Sequence, residues 1–432
     1  MTISHYNITV NYQNKILLYN TISKNYVCIE KDDTYDTLAN FYNSPLSKKM
    51  GFVHDDDYDE KSAFLMKQQD FYENRILNLT IIPTMQCNFA CSYCYETRQK
   101  KVMSLETIES IKRFLELHLH EYSGLTINWF GGEPLLCVDI IKEINTKAKF
   151  VSQKLGKVFM SSITTNGYLL TSETFCELCN LNIRNYTVTI DGLKDSHDKY
   201  RKLFNGKGTY DTIINNLVNI SNINEHFNFT IRMNVNKNNY GEFDSFINLM
   251  HKFFGSDKRF DLSFALVSDW GGNSIHNMKN DLLDSTTIII EAAKKHKQEF
   301  AFKSLFYTIE GNTCNFKNRN SYVIDTEGNL LKCTIYLDHN NVVVGKILSN
   351  GQLYYNYSNL SYWNLHDSSI KKCPDCKMSL ICRGRLCPAT DNYSSKCTCS
   401  LEKLERMVIA KYELNPQDFY YINNINFEKT GE

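Results

Sequence analysis

The chain has 432 residues and a formal net charge of zero, with Lys+Arg and Asp+Glu both at 48. That balance excludes the broad basic field of a nucleic-acid binder, and no uncharged apolar run approaches the roughly 18 residues of a membrane-spanning helix. The start, Met1-Thr2-Ile3-Ser4-His5-Tyr6-Asn7, lacks the basic segment and apolar core of a secretory signal, so a cytoplasmic protein is expected, with neither nucleic acid nor membrane as partner.

Residues 6–29 read as three strands, with alternating segments at Tyr6–Val10 and Lys15–Tyr19 around an Asn11–Asn14 turn and a third at Tyr26–Ile29. An acidic stretch, Asp55–Glu60, leads into a helix-like segment that ends near Asn74. From residue 77 strand and helix alternate. The strands are Leu77–Ile82, Leu125–Phe130, Val158–Thr164, Tyr186–Ile190, Phe229–Val235 and Phe260–Leu266. Helix-period runs fall at 105–119 and 140–155, and Thr171 has the form of an N-cap followed by an acidic first turn. Six strands alternating with helices imply an α/β fold of right-handed βαβ units, an open parallel sheet or a partial barrel. Chemistry in such folds gathers at the carboxyl ends of the strands. There stand Cys87–Cys94, Gly131–Pro134, Thr165-Asn166-Gly167 and Asp191-Gly192.

Fifteen cysteines, an odd number in a chain without an export signal, argue against a disulfide framework. Cys28, Cys137, Cys176 and Cys179 are scattered and read as small buried hydrophobes. The other eleven cluster. Cys87, Cys91 and Cys94 place three thiols on one loop, one ligand short of a closed structural zinc site. Such a loop can hold three irons of a [4Fe–4S] cluster and leave the fourth open to a small chelating ligand, with Tyr93 beside it. Zinc with a remote ligand is the alternative.

Cys87, Cys91, Tyr93 and Cys94 match the CxxxCxΦC signature of the radical S-adenosylmethionine (SAM) enzymes, and the sequence resembles that family over roughly residues 77–300. The resemblance implies a partial (β/α)6 barrel of the TIM type. Gly131, Gly132 and Glu133 look like the motif for SAM's amino group, with glycines that let the backbone approach and a carboxylate for the ammonium. Thr189 and Arg201 match positions that contact the SAM ribose and carboxylate in peptide-modifying members. Arg232 is a second candidate for the carboxylate, and Asn166 either contacts SAM or forms a turn. The implied chemistry is one-electron cleavage of SAM to methionine and a 5′-deoxyadenosyl radical that abstracts hydrogen from an unreactive C–H.

The eight remaining cysteines resemble the SPASM extension of such enzymes, which holds two auxiliary [4Fe–4S] clusters and brings the expected total to three. Cys314, Gly328-x4-Cys333, Cys373-x2-Cys376 and Cys382 follow its spacing, whereas Cys382 and Cys387 are separated by four residues rather than three. By resemblance Cys314, Cys333, Cys387 and Cys397 bind the first auxiliary cluster. Cys373, Cys376, Cys382 and Cys399 bind the second, and exchanging Cys397 with Cys399 is nearly equivalent. A zinc-ribbon-like module is the alternative. The domains expected are 1–76 for leader-peptide recognition, 77–304 for the radical SAM barrel and 305–432 for an irregular iron–sulfur domain.

These features imply an oxidoreductase of the cytoplasm that matures a ribosomally made precursor peptide. It would install a thioether, carbon–carbon or ether crosslink, or epimerise a residue. The leader would pair with a strand edge of the N-terminal domain, at Ile8–Val10, Ile16–Tyr19 or Tyr26–Ile29, and a flavodoxin or ferredoxin would donate electrons. An anaerobic sulfatase-maturating enzyme is the competing reading. Such enzymes use an Asp just after the Gly-x4-Cys cysteine, where this chain has Thr334-Ile335-Tyr336-Leu337 and no carboxylate before Asp338. A non-catalytic iron–sulfur electron-transfer protein is the reading from another class.

Overall fold

A computed structural model describes residues 1–31, 36–72, 75–97, 99–255, 257–267, 285–297, 318–337, 341–364 and 401–422, with Phe306, Cys314, Phe316, residues 376–378 and Ile381. Cys373, Cys382, Cys387, Cys397, Cys399 and Asp338 lie outside the described residues. The chain packs as two compact units. One comprises Met1–Tyr72, Leu305–Cys314 and His366–Glu432, and the other Glu73–Ser304 and Asn315–Leu365.

In the first unit β1 (Thr2–Ile3) is followed by the hairpin of β2 (Asn7–Tyr12) and β3 (Lys15–Asn20), which turns through Gln13 at φ 52°. β4 (Tyr26–Glu30) pairs antiparallel with β3. α1 (Thr37–Tyr42) starts where the Asp36 side chain accepts from the Ala39 N–H, and α2 (Pro45–Lys49) where Ser44 accepts from Ser47 and Pro45 pre-sets the first turn. β5 (Val53–His54) pairs with β1, and α3 (Glu60–Tyr72) closes this stretch.

The second unit opens with β6 (Ile76–Ile81) and continues with α4 (Leu105–His118), β7 (Gly124–Trp129), α5 (Val138–Lys154), β8 (Val158–Thr165), α6 (Ser172–Asn180) and β9 (Ile183–Thr189). α7 (Lys194–Tyr200), α8 (Tyr210–Ser221), β10 (Asn228–Val235), α9 (Phe243–Phe254), β11 (Phe260–Leu266) and α10 (Ser285–Lys295) follow. β6 to β11 lie side by side in chain order, every pair parallel. The six strands expected from the alternation are all present, and Thr171 caps α6 by accepting from Thr174. β12 (Ser321–Ile324) adds to the free side of β6 in parallel. β13 (Asn329–Leu331), β14 (Val343–Ile347) and β15 (Leu353–Tyr355) extend the sheet antiparallel to ten strands, with α11 (Tyr357–Asn364) beside β14.

Strands covered on both faces usually read as continuous apolar runs. Here they alternate instead. Leu77, Leu79 and Ile81, Leu125, Ile127 and Trp129, and Phe229, Ile231 and Met233 are fully buried. The residues between them are Asn78 and Thr80, Thr126 and Asn128, and Thr230 and Arg232. One face of the sheet is therefore core and the other is polar, as strands of period two demand when only one face packs on helices.

The first unit is completed by α12 (Leu401–Leu414) and β16 (Tyr420–Ile422). β16 pairs in parallel with β4, giving the order β16–β4–β3–β2. Ile422 enters the apolar cluster of Leu18, Val27, Ile29, Phe41 and Phe52. Two of the three docking edges expected from the sequence are thereby corrected. Ile16–Tyr19 belongs to an interior strand, and the outer side of Tyr26–Ile29 is filled by the chain's own β16. A strand needs its N–H and C=O groups unpaired on one side to accept another, and among the described residues only β2 and β16 keep such a side in this sheet.

Candidate functional site

Hydrogen bonds across the strand ends build the site. The loop of Cys87–Cys94 after β6 is strapped to residues 200–203 at the end of α7, with Ala90 N donating to Lys202 O (2.7 Å), Ser92 N to Tyr200 O (3.1 Å) and a bridge from Phe89 to Leu203. It is also pressed against the loop after β7, where Glu133 N donates to Gln86 O at 2.8 Å. Gly131 adopts φ 115°, and a Cβ on it would lie 2.7 Å from the Thr84 carbonyl oxygen, while a Cβ on Gly132 would collide with the Gln86 carbonyl. Both positions require glycine.

These loops line an open cavity of about 610 Å³ at the carboxyl ends of the strands. Cys87, Cys91 and Cys94 line it, and so do Tyr93, Gly131, Gly132, Asn166, Thr189, Arg201 and Arg232. Of the residues expected from the sequence for the SAM site, only Glu133 is not on the wall. Its side chain is fully enclosed behind the glycines. Its carboxylate accepts from Thr165 Oγ1 (2.6 Å), Leu135 N (3.0 Å) and Asn166 N (2.7 Å). Burial raises its pKa, against the pull of those three donors.

Cys87 accepts the Phe89 N–H at 3.4 Å, and burial pushes its thiol up to about 12 in the absence of a metal. Asn166 Nδ2 donates to Asn88 Oδ1 at 2.7 Å and approaches Cys87 Sγ at 3.9 Å. Among the described residues no three His, Cys, Asp or Glu side chains form a single-ion site. That is no obstacle to a [4Fe–4S] cluster, in which each thiolate binds its own iron.

Behind the cysteines lies a buried network that the sequence reading missed. Tyr93 donates to Asp191 Oδ2 and accepts from Arg201 Nη1 (2.7 Å) and Asn234 Nδ2 (3.1 Å). Asp191 Oδ1 accepts from Asn234 N at 2.8 Å. His197 Nδ1 accepts from Asp191 N (3.2 Å), so its Nε2–H donates to Thr209 Oγ1 (3.1 Å), which in turn donates to Arg201 O (2.6 Å). The Arg201 guanidinium lies 5.7 Å from the Phe89 ring centroid, and its enclosed Nε has no hydrogen-bond partner among the described residues. Burial holds His197 neutral, with its pKa well below the usual value, and the Arg201 charge adds to this. The signal was available in Asp191-Gly192 at a strand end, with His197 in the following helix and Arg201 four residues on at its C-cap.

Glu96 was missed as well. It lies two residues past Cys94 on the cavity wall, with Oε2 enclosed and without a hydrogen-bond partner among the described residues. Burial raises its carboxyl to about 7, and the Glu133 carboxylate pushes the same way. Of the eight later cysteines, three are described. Cys333 is buried after β13, with Ile335 N (3.3 Å) and Tyr336 N (3.4 Å) donating to its sulfur, and Ile335 reaches the cavity wall. Cys314 and Cys376 belong to the other compact unit.

The Radical SAM superfamily model matches residues 81–250. A cysteine-type anaerobic sulfatase-maturating enzyme of Clostridium novyi is 28% identical over 191 residues, 41% of this chain and 48% of that protein. A serine-type one from Bacteroides thetaiotaomicron is 33% identical over 135 residues, 29% of this chain and 31% of that protein. The match thus spans less than half the length of these curated relatives. Among solved structures, native anSMEcpe with bound AdoMet and Cp18Cys peptide superposes with TM-score 0.59 and 20% identity, covering 79% of this chain and 99% of that one. Streptococcus suis SuiB bound to precursor peptide SuiA gives TM-score 0.52 and 16% identity over 92% and 100%. At such identities the likeness is one of fold.

Proposed function

We propose that this chain, which carries a radical SAM domain, matures a peptide by hydrogen abstraction from a carbon of a ribosomally made precursor. The observation that carries this reading is the cavity that unites Cys87, Cys91 and Cys94 with Gly131, Gly132 and Arg201. When bound, the cluster and SAM supply a carbon-centred radical. The chain's own residues do the rest. The three thiols hold the cluster, the two glycines admit the amino-acid end of SAM, and Arg201, fixed by Tyr93 and Phe89, takes its carboxylate. Thr189, paired in register with Arg232, offers a hydroxyl to the ribose. The cavity walls exclude water and hold one substrate hydrogen near the reacting carbon.

Cys314, Cys333, Cys373, Cys376, Cys382, Cys387, Cys397 and Cys399 would hold two auxiliary [4Fe–4S] clusters, and the paired N–H donors to Cys333 sulfur suit a thiolate ligand. Residues 1–76 would recognise the leader, in a chain working in the cytoplasm with a flavodoxin or ferredoxin as donor. The sulfatase-maturating reading is favoured by the two relatives above. It is opposed by the cavity position after Cys333, where the wall presents Ile335 rather than a carboxylate. An electron-transfer protein has no use for such a cavity.

The test is anaerobic reconstitution followed by incubation with SAM and dithionite. 5′-Deoxyadenosine is the expected product, and Cys87→Ala, Cys91→Ala or Cys94→Ala should abolish it. Iron-replete protein that forms none would remove the proposal.

A further inference from the structure

The turn from α7 to α8 brings its two ends, Arg201 and Thr209, into contact. Arg201 is the C-cap of α7 and leaves the helix at φ −124° and ψ 84°, so its carbonyl drops out of the helical ladder. That carbonyl accepts from Thr209 Oγ1 at 2.6 Å. Thr209 is the N-cap of α8, a place where threonine ordinarily turns its hydroxyl onto the first turn of its own helix. Ser44, Ser104 and Thr171 do so in this chain. Thr209 makes no such bond, and Asp198 Oδ1 takes the N–H groups of Thr209 (2.7 Å) and Tyr210 (2.9 Å) in its place. A residue suited to capping is thereby committed to Arg201.

The proton directions beyond Thr209 are forced. A carbonyl oxygen can only accept, so Thr209 gives its one proton to Arg201 O and must accept from His197 Nε2 at 3.1 Å. His197 Nε2 then carries the ring proton, and Nδ1 is the acceptor that the Asp191 N–H requires at 3.2 Å. Burial, which keeps the imidazole neutral, agrees with this tautomer. Every donor points the same way, from Asp191 through His197 and Thr209 to Arg201, an arrangement in which hydrogen bonds strengthen one another. Asp191 and Arg201 are joined a second time through their side chains, since both bind the hydroxyl of Tyr93, which stands between Cys91 and Cys94. The result is a closed ring in which Asp191, His197 and Thr209 are fully buried.

We propose that His197 and Thr209 are positioning residues for SAM: through the Arg201 carbonyl they hold the Arg201 main chain where its guanidinium, tied to the thiol loop by Tyr93, meets the SAM carboxylate. The proposal rests on the SAM site described above and extends it to two residues that do not line the cavity. Neither touches the cofactor. Their effect on SAM passes through Arg201, which a role in packing would not require.

The test uses the full chain, reconstituted anaerobically, with SAM dissociation constants measured from the change in the electron paramagnetic resonance of the reduced cluster. Thr209→Val keeps the shape of the side chain and removes the hydroxyl. It should weaken SAM on the order of tenfold, the scale of one hydrogen bond, with iron content unchanged. Thr209→Ser keeps the hydroxyl and should bind SAM as the wild type does. Arg201→Lys should weaken SAM as well, and adding Thr209→Val to it should cost no more than about a further twofold, because the two changes act on one contact. Wild-type affinity in Thr209→Val, or losses that multiply in full in the double variant, overturns the proposal. If Thr209→Val does not retain iron, the same cycle is run with His197→Gln, and full multiplication there overturns it equally. Iron-replete Arg201→Lys that binds SAM as the wild type does removes Arg201 from the SAM site and the proposal with it. Iron-replete wild-type protein that binds no SAM removes the SAM-site reading itself, a result distinct from the others.

Discussion

Single residues in this site owe their roles to what they can no longer reach. Glu133 accepts from Asn166 N at 2.7 Å, so Glu133→Gln sets an amide donor or a rearranged loop against that N–H. A cost of about 1–3 kcal/mol follows from the unmatched buried donor. The expected outcome is a lower melting temperature for the variant, and equal thermal unfolding of the two proteins would contradict it. His197 gives a pH dependence. In the folded chain it stays neutral well below its ordinary pKa, whereas in the unfolded chain it takes up a proton near pH 6.5. The unfolded state therefore binds more protons as pH falls below about 6.5, and stability declines by up to about 1.4 kcal/mol per pH unit toward the folded-state pKa. His197→Gln should flatten that slope in urea midpoints measured from pH 5 to 8. Identical slopes would show that the acid sensitivity arises elsewhere.

At the scale of elements, the β2–β3 hairpin turns through two residues, so Tyr12 and Lys15 form its last hydrogen-bonded pair. Counting back by twos, Val10 and Ile8 point their backbone groups at β3, while Asn7, Thr9 and Asn11 point theirs outward. The Asn7 carbonyl accordingly accepts from Lys377 Nζ at 3.3 Å. If a leader docks by strand addition, β2 is the edge to block, since β16 fills that of β4. Thr9→Pro or Asn11→Pro should weaken binding of the full precursor by about 1–3 kcal/mol, the scale of one lost hydrogen bond with local distortion. SAM cleavage without substrate should continue. Unchanged titration of labelled precursor against both variants would leave this sheet a packing element only.

At the scale of the whole molecule, chain order and compact units do not coincide. Residues 315–365 extend the sheet of β6–β11 through β12–β15, whereas residues 366–432 group with residues 1–72. The cysteines assigned to auxiliary clusters are shared between the units, with Cys333 in one and Cys314 and Cys376 in the other. If three clusters are present, reconstituted protein should hold about twelve irons per chain and no stoichiometric zinc. Cys376→Ala should then lower the iron count and product formation more than deoxyadenosine release. Two zincs with about four irons would refute the auxiliary clusters.

Much of the fold and half of the site could be read from the sequence, because both rest on local rules. Period-two strands, the Thr171 cap and the thiol spacing of Cys87–Cys94 need no distant partner to be recognised. The glycines at 131 and 132 were legible for the same reason, as a turn and a close approach are local events. What only the tertiary structure decided depends on which oxygen or strand edge is already taken. Glu133 and Glu96 are both acids in strand-end loops, and nothing local in the sequence says that Glu133 accepts three donors. The donors to Glu133 come from Leu135, Thr165 and Asn166, two of them some thirty residues away in the chain. Likewise β4 looks like any edge strand until Tyr420–Ile422, nearly four hundred residues later, pairs with it. Propensity and spacing act between neighbours in the chain, whereas hydrogen-bond capacity is used up by whatever the fold brings near.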